Sequence, residues 1–355
     1  MALATKSPSV SIDALEGGGP GIINRVYGAL RRAPIWIIVA IWTIPTLGLF
    51  VNSFRTRDQQ RRLGWWQTMT SGTTEATAEE GEAAANTFSA GPFTMEQLTT
   101  ENYETVLAAS ATTDLFGSLV NSAAIAIPAT IIPIAIAAFA AYGFAWIDFK
   151  GRKPLFIGMV ALLAVPLQVA LLPLLPTYIG GAHWTVGSIG TFEPLSWIGI
   201  EKTMTVLPAL QLNGTAESVW LTHTGFAMPF AIFLLHNYIS GLPKDIFESA
   251  RIDGADHFTI FWRLVLPLSI PVLAAFAIFQ FLWTWNDFLI ARTMLGPNQD
   301  VLPTTVRIAN LSGDFGRNDF ILPAAAFIQA FIPLIVFFSL QRFFVRGILA
   351  GSVKG

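Results

Sequence analysis

Six stretches of this chain are each about 20 residues or more in length and apolar enough to cross a lipid bilayer. They lie at about 33–54, 116–147, 155–178, 218–239, 266–290 and 321–344. Each fits a spanning helix, and the pattern predicts an all-α polytopic membrane protein with six transmembrane helices. The third stretch carries Pro166, Pro173 and Pro176 inside it and Pro154 at its entry. A soluble helix breaks at such residues. A membrane bundle tolerates them, because neighbouring helices satisfy the freed carbonyls.

The bulk numbers agree with lipid. Only 12% of the 355 residues are charged and 53% are hydrophobic, whereas a soluble domain carries about 25% charge. A net charge of −2 lacks the basic patch that a nucleic-acid partner requires. There are no cysteines, which excludes disulfides, thiolate nucleophiles and cysteine-ligated metals. The four histidines, His183, His223, His236 and His257, are scattered without H-E-x-x-H spacing, so no metal site is expected. The first apolar run begins near Ala33, too far along and too long for a cleavable signal.

The connecting segments divide the chain. Residues 1–32 form a polar N-terminal tail, 33–54 the first span, 55–115 a polar loop, 116–344 the main membrane core and 345–355 a C-terminal tail. The loop opens on FRTRDQQRRLGWWQTM, which reads as a short amphipathic helix at a membrane surface. It continues into TSGTTEATAEEGEAAANTFSAG, which reads as flexible. A second insert, 179–217, contains PLSWIG and is too polar to span. Lys and Arg set the orientation. With a cytoplasmic N-terminus, the inner segments hold 13 of the 21 basic residues although they are the shorter ones, so both termini are expected inside. Arg55, Arg57, Arg61 and Arg62 dissent, falling on the outer side.

One polar segment interrupts the core on the predicted inner face. Residues 243–271 read PKDIFESARIDGADHFTIFWRLVLPLSIP. Pro243 and Asp245 look like a helix start, Gly254 a break, and Asp256 a cap for the next helix, which enters the fifth span through Pro267. Glu248, Arg251, Ile252 and Ala255 are expected on one side of the short helix, and Ser249 and Ala250 are small enough for close approach. Pattern alone favours an ordinary solvated loop over a docking knob. The spacing adds more, because the run resembles the EAA loop of ABC importer permeases. That loop has Glu-Ala-Ala, three residues, Gly, nine residues, then Ile-x-Leu-Pro. Here stand Glu248-Ser249-Ala250, Gly254 and Leu264-Val265-Leu266-Pro267, with Ser249 and Leu264 as the departures.

The ARIDGA run (250–255) and Trp285-Asn286-Asp287 resemble the carbohydrate-uptake branch of that family. The QRFFVRGILAGSVKG end is similar to the tail of the maltose-transporter second permease, and LTHTGFAMPFAIFLLHNYISGLPKDI to that of α-glucoside importers. The resemblance implies a MetI-like permease fold with a coupling loop at 240–265. It implies that Glu248, Ser249, Ala250, Arg251, Asp253, Gly254 and Pro267 couple to an ATPase, and that Gly347, Gly351, Ser352 and Lys354 contact it from the tail. The implied partners are a second permease, two ATPase subunits and an extracytoplasmic sugar-binding protein, in a bacterial inner membrane. ATP and Mg²⁺ would bind the partners, since this chain has no G-x4-G-K-[S/T].

For a solute pathway, Gln280, Thr284 and Asp287 form a stripe at i, i+4 and i+7, beside Asn286. The stripe reads equally well as a bundle-stabilising hydrogen-bond cluster. Gln168 and Gln329 read more as helix–helix glue. Trp65, Trp66 and Trp184 suit interfacial anchoring. The rival functions are a permease for another polar solute and an ATP-independent carrier.

Overall fold

The computed structural model describes residues 22–62, 64–66, 98–108, 114–186, 202–312 and 318–352. Most of the N-terminal tail, the TSGTTEATAEEGEAAANTFSAG run, the PLSWIG run and Lys354 lie outside the described residues. The chain divides into two units, Met1–Thr99 and Thr100–Gly355.

In the first unit, helix α1 (Ile22–Ser53) starts well before the apolar run. Its span exposes Ile35, Trp36, Ile38, Ile41 and Trp42, and its hydroxyls are satisfied within the helix, Thr43 Oγ1 donating to the Val39 carbonyl at 2.6 Å. Such a surface suits lipid. A tight turn leads into α2 (Arg57–Arg62). Arg55 is buried there, its guanidinium donating to Asn52 Oδ1 at 2.7 Å and to the Gln59 carbonyl at 2.6 Å. This arginine therefore staples the turn.

The second unit starts with α3 (Glu101–Leu107) and α4 (Leu115–Trp146). A pair, α5 (Arg152–Ala161) and α6 (Leu167–Gly180), follows. The sequence reading ran one span across 155–178. The structure instead bends it by 101° at Val165–Pro166, where proline removes an amide donor and restricts the residue before it. Within the 179–217 insert the helical chain carries one short ribbon. Strands β1 (Ala182–Val186) and β2 (Lys202–Leu207) pair antiparallel, in β-branched stretches that suit a ladder. Gly181 begins the ribbon at φ +81°, where a β-carbon would sit 2.5 Å from the Leu207 carbonyl oxygen.

Next come α7 (Ala216–Ile239), α8 (Lys244–Ile252) and α9 (His257–Ile260). A π-helical turn, Phe261–Val265, leads into α10 (Leu266–Leu268) and α11 (Ile270–Trp285). The latter two meet at a 70° bend. The chain continues through α12 (Leu289–Leu295), α13 (Thr304–Ser312) and α14 (Leu322–Ser352). Among the described residues four helices are individually long and apolar enough to cross a membrane, and counting each bent pair as one span gives up to six.

The α4–α7 pair forms the centre of this unit. Ala137 and Ala141 of α4 and Ala227 and Ala231 of α7 are buried at four-residue spacing. Small residues at that spacing let two helices approach closely where lipid supplies no hydrophobic drive. Helix α11 lies against α4 and α14.

A buried polar clasp ties the start of α4 to α13. Thr304 donates its backbone N–H to Ser122 Oγ at 2.8 Å, and the two hydroxyls lie 2.9 Å apart. Arg307 Nε donates to Ser118 Oγ at 3.0 Å. Ser122→Ala leaves the buried Thr304 amide without this acceptor, which costs about 1–3 kcal/mol. The purified variant is expected to unfold at a lower temperature than wild type, while Ser122→Thr keeps an acceptor and most of the stability.

Candidate functional site

The polar interruption folds as a helical knob. Pro243 precedes α8, whose one buried residue is Phe247. Its ring stacks on Trp146, the last residue of α4, with centroids 3.8 Å apart and planes 18° from parallel. Trp146 Nε1 in turn donates to the carbonyl of Ile239, the last residue of α7, at 3.1 Å. Glu248, Ser249, Arg251 and Asp253 are exposed, Ala250 is half-buried, and Ile252 is 86% exposed.

The corner after α8 has a defined form. Gly254 sits at φ +83°. The Gly254 amide donates to the Arg251 carbonyl at 3.0 Å and the Ala255 amide to the Ala250 carbonyl at 2.9 Å. These two bonds are the Schellman pattern, which requires a left-handed residue that glycine adopts without strain. The helix ends at Ile252, so Ala255 leaves the side it was expected to share with Glu248. Instead Ala250 and Ala255 both lean on the main apolar cluster. Asp256 caps α9, its Oδ1 accepting from the Thr259 amide at 2.8 Å. The hydrogen bonds from Thr259 hold the Asp256 carboxyl below the usual carboxylate range. Pro267 is exposed and lies two residues past the end of the π-helical turn. A proline there cannot donate into the helical ladder, which accounts for local unwinding.

The expected pathway stripe is divided. Gln280 is fully buried and donates to the Ala129 carbonyl of α4 at 3.0 Å, joining the two helices, and to Thr284 Oγ1 within α11 at 3.5 Å. Helix α11 ends at Trp285, which takes Asp287 off the stripe. Asp287 caps α12 instead, accepting from the Ala291 amide at 2.9 Å. Asn286 is exposed and donates to the Leu282 carbonyl at 2.8 Å. Trp285 is buried and donates to the Gln329 carbonyl of α14 at 3.1 Å. Gln168 is exposed near the start of α6.

Three side chains gained a place here that sequence reading had not given them. His223 is fully buried, with Nε2 3.5 Å from Asp287 Oδ2 and its ring edge-on to Trp283. A lone histidine in an apolar run carries no signal of a partner 64 positions away. Trp146 and Phe247 likewise stand in unrelated segments. A cleft of about 460 Å³ at the α5–α6 bend is lined mostly by aliphatic side chains, with Tyr178, Thr222 and Trp283 among them. At the C-terminus, α14 continues to Ser352, so Gly347, Gly351 and Ser352 belong to the last helix rather than to a separate tail.

Residues 133–349 match the family model for the binding-protein-dependent transport system inner membrane component. The chain belongs to that family of ABC importer permeases. The matched region holds the knob, its glycine corner and Pro267. The osmoprotective compounds uptake permease protein GgtD of Synechocystis sp. is 44% identical, over 93% of this chain and 95% of its own length. The alpha-glucoside transport system permease protein AglG of Rhizobium meliloti is 40% identical, over 92% of this chain and 99% of its own length. A crystal structure of a bacterial ABC transporter involved in import of the acidic polysaccharide alginate aligns with a TM-score of 0.61 at 15% identity. It covers 92% of this chain and 99% of that one, which supports the fold alone. Family membership makes this chain a membrane-embedded transport subunit rather than an enzyme. A permease of this family works with a second permease, an ATPase and a substrate-binding protein.

Proposed function

We propose that this permease forms half of the translocation path of an ATP-driven importer for α-glucosidic sugars such as maltose, trehalose or sucrose. It pairs with a distinct second permease, two ATPase subunits carry ATP and Mg²⁺, and an extracytoplasmic sugar-binding protein delivers the solute. Both termini lie in the cytoplasm of a bacterial inner membrane. ATP binding closes the ATPase pair, draws the knobs together and rocks the two permeases between inward-facing and outward-facing forms. The observation that carries the ATPase docking is the exposed helix α8, held out from the bundle on one buried ring. Glu248, Ser249, Ala250, Arg251, Asp253 and Gly254 supply the docking surface, with Gly347, Gly351, Ser352 and Lys354 approaching from the C-terminal end. The sugar class rests on 40% identity to an alpha-glucoside permease across nearly the whole chain.

A second reading has its own support. The relative at 44% identity is named for osmoprotective compounds. Reconstituting the complete importer in proteoliposomes separates the two. Labelled maltose, trehalose or sucrose is expected to accumulate with ATP inside, and glycine betaine is not. Uptake of betaine alone would sink the sugar reading, and uptake without any ATPase subunit would sink both.

A further inference from the structure

We propose that motion of the knob enters the membrane bundle through the Phe247–Trp146 stack into α4 and α7, with Ser269 as the joint about which α11 follows. This rests on the reading that an ATPase docks on α8.

A push on α8 has two routes into the bundle. One is the covalent route through α9, the π-helical turn and α10 into α11. That route is interrupted. The helical ladder is distorted at Phe261–Val265, Pro267 and Pro271 donate no amide bonds, and the axis turns by 70° at Ser269. The Ser269 hydroxyl is buried without a hydrogen-bond partner, so its own side chain does not brace the turn. Bending concentrates at such breaks rather than in regular helix.

The other route is through space and is stiff. Phe247 is the one fully buried residue of α8, so its ring is the largest contact between α8 and the bundle, with Ala250 packed beside it. The ring lies flat on Trp146, and the indole N–H is bonded to the end of α7. One indole therefore joins the knob to the ends of both central helices. Those helices are the most extensively packed pair of the unit, and packed cores move as blocks. The remaining links follow the same division. Tyr142 of α4 meets His257 Nδ1 at 2.9 Å, Phe139 of α4 stacks on Phe261 with centroids 4.3 Å apart, and Tyr238 of α7 donates to the Leu268 carbonyl at 3.0 Å. All three attach segments that precede Ser269. The knob, α9, the π-helical turn and α10 thus attach to α4 and α7, and α11 lies beyond the bend, held to α4 in its own right by the Gln280 amide on the Ala129 carbonyl. Phe247 and Trp146 are positioning residues: they touch no solute, and they set how far the helices move per ATPase closure.

The test uses the complete importer, reconstituted with ATP inside, and reads both ATP hydrolysis and sugar uptake. Phe247→Ala and Trp146→Ala are expected to retain the ATPase subunits at wild-type stoichiometry while uptake per ATP falls at least tenfold. Trp146→Phe and Phe247→Trp keep a stacked ring and are expected to hold uptake per ATP within about threefold of wild type. Phe247→Leu fills the apolar socket without stacking, and decides the matter if an alanine variant fails to insert. Ser269→Gly, which loosens only the joint, is expected to leave coupling within twofold. Unchanged uptake per ATP in Phe247→Leu, or equal defects in the leucine and tryptophan variants, would overturn the lever alone. Absence of ATPase from the wild-type complex would overturn the docking reading and the lever with it.

Discussion

Gly254→Leu is expected to lower ATP-driven uptake at least a hundredfold while membrane insertion and folding of the chain stay intact. Two costs are separable at this position. The first is local. At φ +83° an L-residue is strained by about 1–2 kcal/mol. The second is external. A β-carbon at Gly254 would meet no atom of the described residues within 4 Å, its two chain neighbours aside, so a leucine side chain has room there. Any loss beyond that of Gly254→Ala then reports what covers the corner when the ATPase is docked. The alanine variant is expected to transport within about tenfold of wild type, since the local strain alone corresponds to roughly that factor. Uptake by proteoliposomes loaded with ATP gives the rate, and co-purification gives the docked ATPase. Wild-type uptake by Gly254→Leu would end the claim that this corner faces a partner.

That contrast depends on features that were legible to different degrees. The spans were readable because a bilayer demands about 20 apolar residues, and length alone carries that signal. The glycine corner was readable because Gly254 stands between a helix start at Pro243 and a cap at Asp256, and each of these residue types has a strong local preference. Tertiary partners were not readable. The stripe from Gln280 to Asp287 assumed that α11 runs on for another turn. Whether it does depends on Trp285 finding α14 and Asp287 finding the amides of α12, both long-range or post-break events. The 101° and 70° bends were visible only as prolines, which mark where a helix is weak without saying how far it turns. The ribbon in the 179–217 insert escaped because short alternating stretches separated by many residues give little local signal.

The same reasoning reassigns the Trp285-Asn286-Asp287 run, and the effect of changing it is large. Trp285 is among the largest fully buried side chains of the described residues, and it stacks on Phe281 while its N–H reaches the Gln329 carbonyl of α14. Trp285→Ala opens a cavity between α11 and α14 and is expected to cost about 3–5 kcal/mol. Much of the protein should then be lost on extraction into detergent. Trp285→Phe fills most of the space and forfeits the hydrogen bond, a loss of about 1 kcal/mol. Asp287→Ala removes the cap of α12, worth about 1–2 kcal/mol, and leaves the buried His223 without its neighbouring carboxylate. Asn286 differs from both. It is exposed and bonded only within its own helix, so Asn286→Ala is expected to shift stability by no more than about 0.5 kcal/mol. A raised KM for uptake in that variant, at unchanged thermal stability, would place Asn286 against the solute. Thermal unfolding of the purified variants measures the rest, and wild-type stability in Trp285→Ala would sink the structural assignment of this run.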